Sequence, residues 1–326
     1  MKKIGFSYNL KDPSTAGTDQ HAEYETPETI EAITSVLSSF GTVVDLPFDG
    51  QFIGRILREQ PDCVFNIAEG WGGRDRESFV PAVCGMLGIP HTGSDAVTLG
   101  ITMDKALTKR IARDAGIRTA EFIVYTAAPK TPAASECQRD ERPAFGFPAF
   151  VKPAWDGSSR GIDRDSLVHD MQSLSDRVRV ITTRYGQPAL VEPYLDGRDF
   201  CVALLGNEPP QVLRTCEVLL GHEEGIPFFS FEYKRRDTDR LDMSPDVPDT
   251  TVREMENAAL RLWDILGCRD CARFDFRTDN DGIPYLLEVN ALPGLSPVSG
   301  ILVKQAEASG IPFNRLIETI MERIMG

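Results

Sequence analysis

At 326 residues the chain is too long for one compact core, and two or three domains are expected. Its 35 basic and 49 acidic residues give a formal net charge of -14. That argues against broad gripping of nucleic acid or an anionic membrane, while leaving room for a local basic cluster that holds a small anion. No apolar run reaches the roughly 18 residues of a membrane span, and the opening MKKIGFSYNL reads as a first strand rather than a leader. The seven cysteines, an odd number, do not make a complete disulfide framework. A cytoplasmic location is therefore the expectation.

Residues 3–8 read as a strand. A helix opens at Thr26-Pro27-Glu28, with Thr as N-cap and Pro in the first helical position. Ile30, Ile33, Val36, Leu37 and Phe40 follow at helical spacing, and Gly41 stops the run. A strand at 42–46, a helix at 52–58 and a strand at 63–67 complete a βαβαβ order, which predicts a parallel sheet with helices on its faces. Ligands bind such sheets beyond the carboxyl ends of the strands, which here are the loops at 9–26 and 68–77. A second unit begins near Met103: an Asp104-capped helix to Ala115, a strand at 121–125, an exposed loop at 126–143, a strand at 149–152 and a loop at 153–161. A third unit begins near Ala189. The expected domains are 1–102, 103–188 and 189–326. Cys268 and Cys271 form a lone CxxC with no completing pair, and plain packing is expected there.

The sharpest chemical signal is a hairpin. CARFDFR (271–277) and PYLLEVN (284–290) flank the turn segment TDNDGI. Alternation puts Arg273 and Asp275 on one face, with Phe274 and Phe276 on the other. Glu288 and Asn290 share a face, opposite Tyr285, Leu287 and Val289. A four-residue loop at 279–282 would pair Thr278 with Ile283, Arg273 with Glu288 and Asp275 with Leu286, so the polar stripes coincide. Two carboxylates and an amide oxygen suit Mg²⁺ shared with phosphate oxygens. Spacing alone leaves a solvated face with an Arg–Glu cross-strand pair as an equal reading. The loop FVKPAWDGSSRG (150–161) sets Lys152 at a strand end before small residues that let backbone approach a phosphate, though no GK[ST] of a P-loop follows. LVEPYLDGRDF (190–200) runs strand, turn, strand, and could offer backbone groups to an adenine edge and a carboxylate to ribose.

Five segments in order resemble the ATP-grasp superfamily and within it the D-alanine–D-alanine ligase-like family: MDKALTKRIARDAGI (103–117), FPAFVKPAWDGSSRGI (147–162), LVEPYLDGRDF (190–200), LGCRDCARFDF (266–276) and YLLEVNALPGLSPVSG (285–300). The resemblance implies an α/β chain, with an ATP-grasp fold behind an N-terminal parallel-sheet domain. It implies that Lys105 and Lys152 contact ATP phosphates, that Ser158 and Ser159 lie in the phosphate-covering loop, and that Glu192, Tyr194, Leu195 and Phe274 serve the adenine. Asp199 would hold ribose, where the family more often has Glu. Asp275, Glu288 and Asn290 would ligate two Mg²⁺ ions, or Mn²⁺. Arg273 and Lys234 would stabilise the transferring phosphoryl group together with Ser158, and Gly294 would support the tetrahedral intermediate. Ser299 and Gly300 would receive the acceptor's carboxylate. The implied assembly is a homodimer acting on small amino-acid-like substrates.

The substrate side departs from the family pattern. NLKDPSTAGTDQHAEYE stands where a Gly-rich loop with a Ser-x-Glu-His run is usual, leaving Glu23 or Glu25 to orient the first substrate's amine. Glu69-Gly70 replaces His-Gly; Glu69 either meets the donor or is a structural carboxylate bonded to Arg74 or Arg76. Arg235 stands at the usual tyrosine of a lid expected at 222–240. The reading is a ligase that activates a carboxylate as an acyl phosphate for attack by an amine. The alternatives are a different amino-acid pair, a hydroxy-acid acceptor, and a non-catalytic ATP-binding protein.

Overall fold

The computed structural model describes residues 1–12, 19, 21–126, 143–219, 228 and 240–325. The N-terminal segment forms a parallel sheet in the order β2-β1-β3, from β1 (Lys2–Tyr8), β2 (Gly41–Pro47) and β3 (Cys63–Ile67). Helices α1 (Pro27–Leu37), α2 (Phe52–Glu59) and α3 (Phe79–Leu87) accompany it. The helix start foreseen at Thr26 holds: its side chain accepts from Thr29 N–H at 3.4 Å, with Pro27 at the head of α1. Every residue of β3 is buried, as a strand covered on both faces requires. The loops after β1 and β3 meet, with Gly70 N–H donating to Asn9 Oδ1 at 2.9 Å and Tyr24 OH donating to the Gly70 carbonyl at 3.2 Å.

Helices α4 (Ala96–Met103) and α5 (Lys105–Asp114) follow, where one helix was expected. Asp104 separates them and caps α5 by accepting from Leu107 N–H at 2.9 Å. A four-stranded sheet in the order β4-β7-β5-β6 contains β4 (Ile123–Tyr125), β5 (Ala149–Pro153), β6 (Leu167–Val168) and β7 (Ala189–Pro193), and α6 (Met171–Arg184) packs Leu174 and Ile181 against Val151 and Val191. The third sheet runs β11-β10-β8-β12-β13, with β9 paired to β8. Its strands are β8 (Asp199–Leu205), β9 (Gln211–Val212), β10 (Cys216–Leu219), β11 (Arg240–Asp242), β12 (Cys271–Thr278) and β13 (Pro284–Asn290). Helix α7 (Asp249–Leu266) covers one face, joined by Leu99 and Ala112 from α4 and α5. Helices α8 (Ile301–Ala308) and α9 (Phe313–Met325) return to the first sheet, where Leu302, Ile317 and Met321 share a core with Ile4, Phe6 and Phe65. Cys268 and Cys271 are free and buried in these cores. Among the described residues no helix is long and apolar enough to cross a membrane.

The hairpin register differs from the simple expectation. Thr278 opposes Pro284, not Ile283, because the turn takes one more residue: Asp279 N–H donates to the Ile283 carbonyl at 3.0 Å. That slip alone would set polar residues against apolar ones. A bulge between Asp275 and Phe276 adds a second shift, so Asp275 opposes Glu288 and Arg273 opposes Asn290. Two slips restore the parity of the faces. Leu286 and Val289 are buried, while Leu287, expected on the packed face, lines a cavity instead.

Candidate active site

A cavity of about 500 Å³ lies where the three sheets meet. The hairpin supplies its floor. Arg273 forks Asp275, with Nε to Oδ1 at 2.7 Å and Nη2 to Oδ2 at 2.8 Å, and Asn290 Nδ2 donates to Asp275 Oδ2 at 2.9 Å. Burial opposes the Arg273 charge, yet Asp275 outweighs it and raises the guanidinium's pKa. Glu288 pairs with Lys105 at 3.1 Å. Burial would raise the Glu288 pKa, but Lys105 and then Lys152 bring it down to about 2, so the carboxylate stays charged. Among the described residues no three His, Cys, Asp or Glu side chains form a metal cluster. The donor set of two carboxylates and an amide instead fits a hard cation that keeps waters and shares phosphate oxygens.

Lysines frame one wall. Lys105 opens α5 and also donates to the Asp156 carbonyl. Lys152, at the end of β5, pairs with Glu192 Oε1 of β7 at 2.6 Å. Glu192 Oε2 faces the Lys109 ammonium at 2.8 Å. Burial pushes Glu192 up, but Lys109 and Lys152 together hold it at about 2. The loop after β5 turns at Ser158 and Ser159, whose φ angles of 48° and 56° are left-handed. This conformation costs L-residues about 1 kcal/mol or more each, a strain that collects at functional loops. A Cβ on neighbouring Gly157 would lie 2.5 Å from Glu23 Oε1, which instead accepts the Gly157 N–H at 2.8 Å.

Tyr194, Leu195 and Asp199 line the far end. Arg277 ties them together: its Nη1 meets Asp199 Oδ2 at 2.7 Å, Nη2 donates to Tyr194 OH at 2.9 Å, and Nε donates to the Leu195 carbonyl at 2.6 Å. Asp199 is thus an ion-paired carboxylate. Phe274 does not reach the cavity; it is fully enclosed on the opposite face of β12, packed with Val202 and Leu262. The alternation that puts Arg273 in the cavity puts Phe274 in the core.

The opposite end is acidic. Arg76, 5% exposed, forks Glu23 at 2.7 and 2.6 Å and donates to the Trp155 carbonyl at 2.6 Å. Arg74 pairs with Asp104 at 3.3 Å. The expected alternative of Glu69 bonded to either arginine is therefore not what forms. Glu69 hydrogen-bonds Glu77, and both line the cavity. Burial, then the neighbouring Glu77, raises the Glu69 pKa well above the usual range; burial pushes Glu77 up to about 7 against the pull of Arg76. Glu25, Gly294, Ser299 and Gly300 also line the cavity, with Gly300 at the head of α8. Lys234, Arg235 and nearly all of the 222–240 lid lie outside the described residues.

Three participants escaped sequence reading. Arg277 stands two residues beyond Asp275, so strand alternation could have found it. Lys109 stands one helical turn beyond Lys105. Glu77 had no local signal, since it follows a turn in a short 3₁₀ segment.

The family model described as D-ala D-ala ligase C-terminus matches residues 111–322. The D-alanine–D-alanine ligase of Moorella thermoacetica is 30% identical over 292 residues, covering 89% of this chain and 91% of that one. A Sinorhizobium fredii protein named uncharacterized protein y4sG is 37% identical over 274 residues, 82% of this chain and 75% of that protein. The crystal structure of D-alanine–D-alanine ligase from Bacillus anthracis complexed with ATP superimposes with a TM-score of 0.76 over 100% of this chain and 98% of that chain, at 23% identity. The order of sheets, the family match across the hairpin and a relative matched over about nine-tenths of both chains converge: this chain belongs to the D-alanine–D-alanine ligase family of ATP-dependent ligases.

Proposed function

We propose that the chain uses ATP to join a carboxylate to an amine through an acyl phosphate, on a pair whose donor presents an ammonium to Glu69 and Glu77. The observation that carries this reading is the convergence of Arg273, Asp275, Glu288 and Asn290 with Lys105 and Lys152 on one cavity. A carboxylate resists attack because its charge would grow; moving a phosphoryl group onto it creates a leaving group. Lys105 and Lys152 are the partners for the phosphates, under the loop of Ser158 and Ser159. Glu192, Tyr194 and Leu195 border the adenine, and Asp199, steadied by Arg277, faces the ribose. Arg273 and Lys234 meet the transferring group. Asp275, Glu288 and Asn290 would hold Mg²⁺ or Mn²⁺, which when bound neutralises charge on the phosphate oxygens. Gly294 offers its N–H to the tetrahedral intermediate. Ser299 and Gly300, at the start of α8, suit the acceptor's carboxylate.

Glu23 is engaged by Arg76, so the donor's ammonium falls to Glu69 and its proton-sharing partner. Water would destroy an acyl phosphate, and residues 222–240 are the proposed cover, with Arg235 assigned to the acceptor's carboxylate by its place in the family pattern. The working units are 1–102, 103–188 and 189–326, with the last border better drawn after β7, since that strand pairs with β4 and β5. A cytoplasmic homodimer belongs to the same reading.

The test is Glu288→Gln assayed for ADP release, with circular dichroism confirming the fold; full activity would reject the site. ADP release screened across D- and L-amino acids, singly and in pairs with product mass measured, identifies the substrates. Equal donor KM in wild type and Glu69→Gln would reject the ammonium assignment.

A further inference from the structure

Lys109 has no surface exposure and stands behind the wall that Lys105 and Lys152 form. Burying an ammonium costs several kcal/mol unless partners satisfy it. Its three protons meet three separate segments. Nζ lies 2.8 Å from Glu192 Oε2 on β7, 2.7 Å from Thr119 Oγ1 in the loop after α5, and 3.3 Å from the Leu286 carbonyl on β13. Leu286 sits at the bulge that re-registers the hairpin, directly opposite Phe276. Its backbone is held on both sides: its N–H donates to the Arg118 carbonyl at 2.8 Å, and its carbonyl also accepts from Thr119 Oγ1 at 2.8 Å. Without that bulge the polar stripe of β13 would face the core, and Glu288 would not oppose Asp275.

We propose that Lys109 is a positioning residue for the nucleotide site, fixing the Glu192 carboxylate at one end and pinning the bulge that turns Glu288 toward Asp275 at the other. The proposal rests on reading Glu192 as the adenine-side carboxylate and Glu288 as the phosphate-side one. A single ammonium thus links the strand beneath the base to the strand beneath the phosphates. An apolar side chain of similar length fills the space but makes none of the three contacts, so its effect on ATP affinity and kcat in the folded protein reports the link apart from stability.

Lys109→Met tests this by calorimetric titration with MgATP and by steady-state kinetics. The expected result is an ATP affinity about tenfold weaker and kcat lowered about tenfold, with amino-acid KM values within twofold of wild type. On a Glu192→Gln background the affinity loss should shrink to under threefold, because the shared contact is already gone, while the kcat loss persists. Thr119→Val, which removes the other support of the Leu286 carbonyl, should lower kcat and spare ATP affinity. If Lys109→Met alone fails to fold, the double variant, which removes the carboxylate charge that would otherwise keep Lys152 as its one cation, carries the test. Wild-type ATP affinity and kcat in the folded Lys109 variant would overturn the proposal. If Glu288→Gln is inactive in that case, only the role of Lys109 has failed; if Glu288→Gln is active, the site reading has failed first.

Discussion

Replacing Glu77 by Gln should change how stability depends on pH. Glu77 is 6% exposed, and burial carries its carboxyl from 4.5 to about 7 despite the neighbouring Arg76. Between those values the folded protein holds a proton that the unfolded chain has released. The unfolded state therefore binds fewer protons, and stability falls as pH rises. The contribution is fully present below about pH 4.5 and lost on passing through 7. At about 1.36 kcal/mol per pKa unit, the difference amounts to roughly 3 kcal/mol. Glutamine keeps the shape and a hydrogen-bonding amide beside Glu69 without titrating. Urea unfolding of both proteins at half-unit steps from pH 5 to 8 should show the wild type losing about 2.5 kcal/mol relative to Glu77→Gln across that range. Parallel curves would mean that Glu77 is ionised in the folded protein at low pH, and the proton-sharing pair with Glu69 would be wrong.

Two further outcomes follow from the geometry. Phe274→Ala should cost about 3–5 kcal/mol of stability, as an emptied core site does, while leaving the ATP KM of the folded protein unchanged; a stable variant with weakened ATP binding would return Phe274 to the nucleotide site. Because Asp275 and Glu288 both line the cavity, ATP affinity should fall at least tenfold when Mg²⁺ is replaced by a monovalent salt of equal ionic strength. Calorimetric titration in EDTA checks this, and undiminished affinity would remove the cation from the site.

Which side chains meet in the cavity was in good part legible in the chain, for a physical reason. Lys105, Lys152, Glu192, Asp275 and Glu288 lie on or at the ends of regular elements, where period and capping fix which way a side chain points. The hairpin shows the limit of that logic. Its two polar stripes were visible from alternation, but their pairing depended on one extra turn residue and one bulge, and neither leaves a period-breaking signature in CARFDFR or PYLLEVN. The backbone at the bulge is held by groups distant in sequence, Arg118, Thr119 and Lys109, which bond Leu286. Phe274 was given to the adenine by resemblance alone, although the alternation that puts Arg273 and Asp275 in the cavity puts Phe274 in the core.

The acidic end was harder to read because its geometry comes from loops. Glu23 reaches Gly157 and Arg76 across 134 and 53 positions of sequence, and no local pattern encodes such contacts. Its consequence is nevertheless simple electrostatics. Toward the nucleotide, each cation faces a carboxylate: Lys105 with Glu288, Lys152 and Lys109 with Glu192, Arg273 with Asp275, Arg277 with Asp199. These pairs match charge locally in a chain whose net charge is -14. At the other end Arg76 is forked to Glu23, while Glu69 and Glu77 hydrogen-bond each other and feel Arg76 only at longer range, so that burial raises both carboxyls. A pair of that kind gains charge when a cation arrives beside it, whereas a carboxylate already matched to an arginine does not. Under the proposed function the selectivity of the donor end resides in this pair, and one of its two members, Glu69, is a position at which the sequence departs from the family pattern.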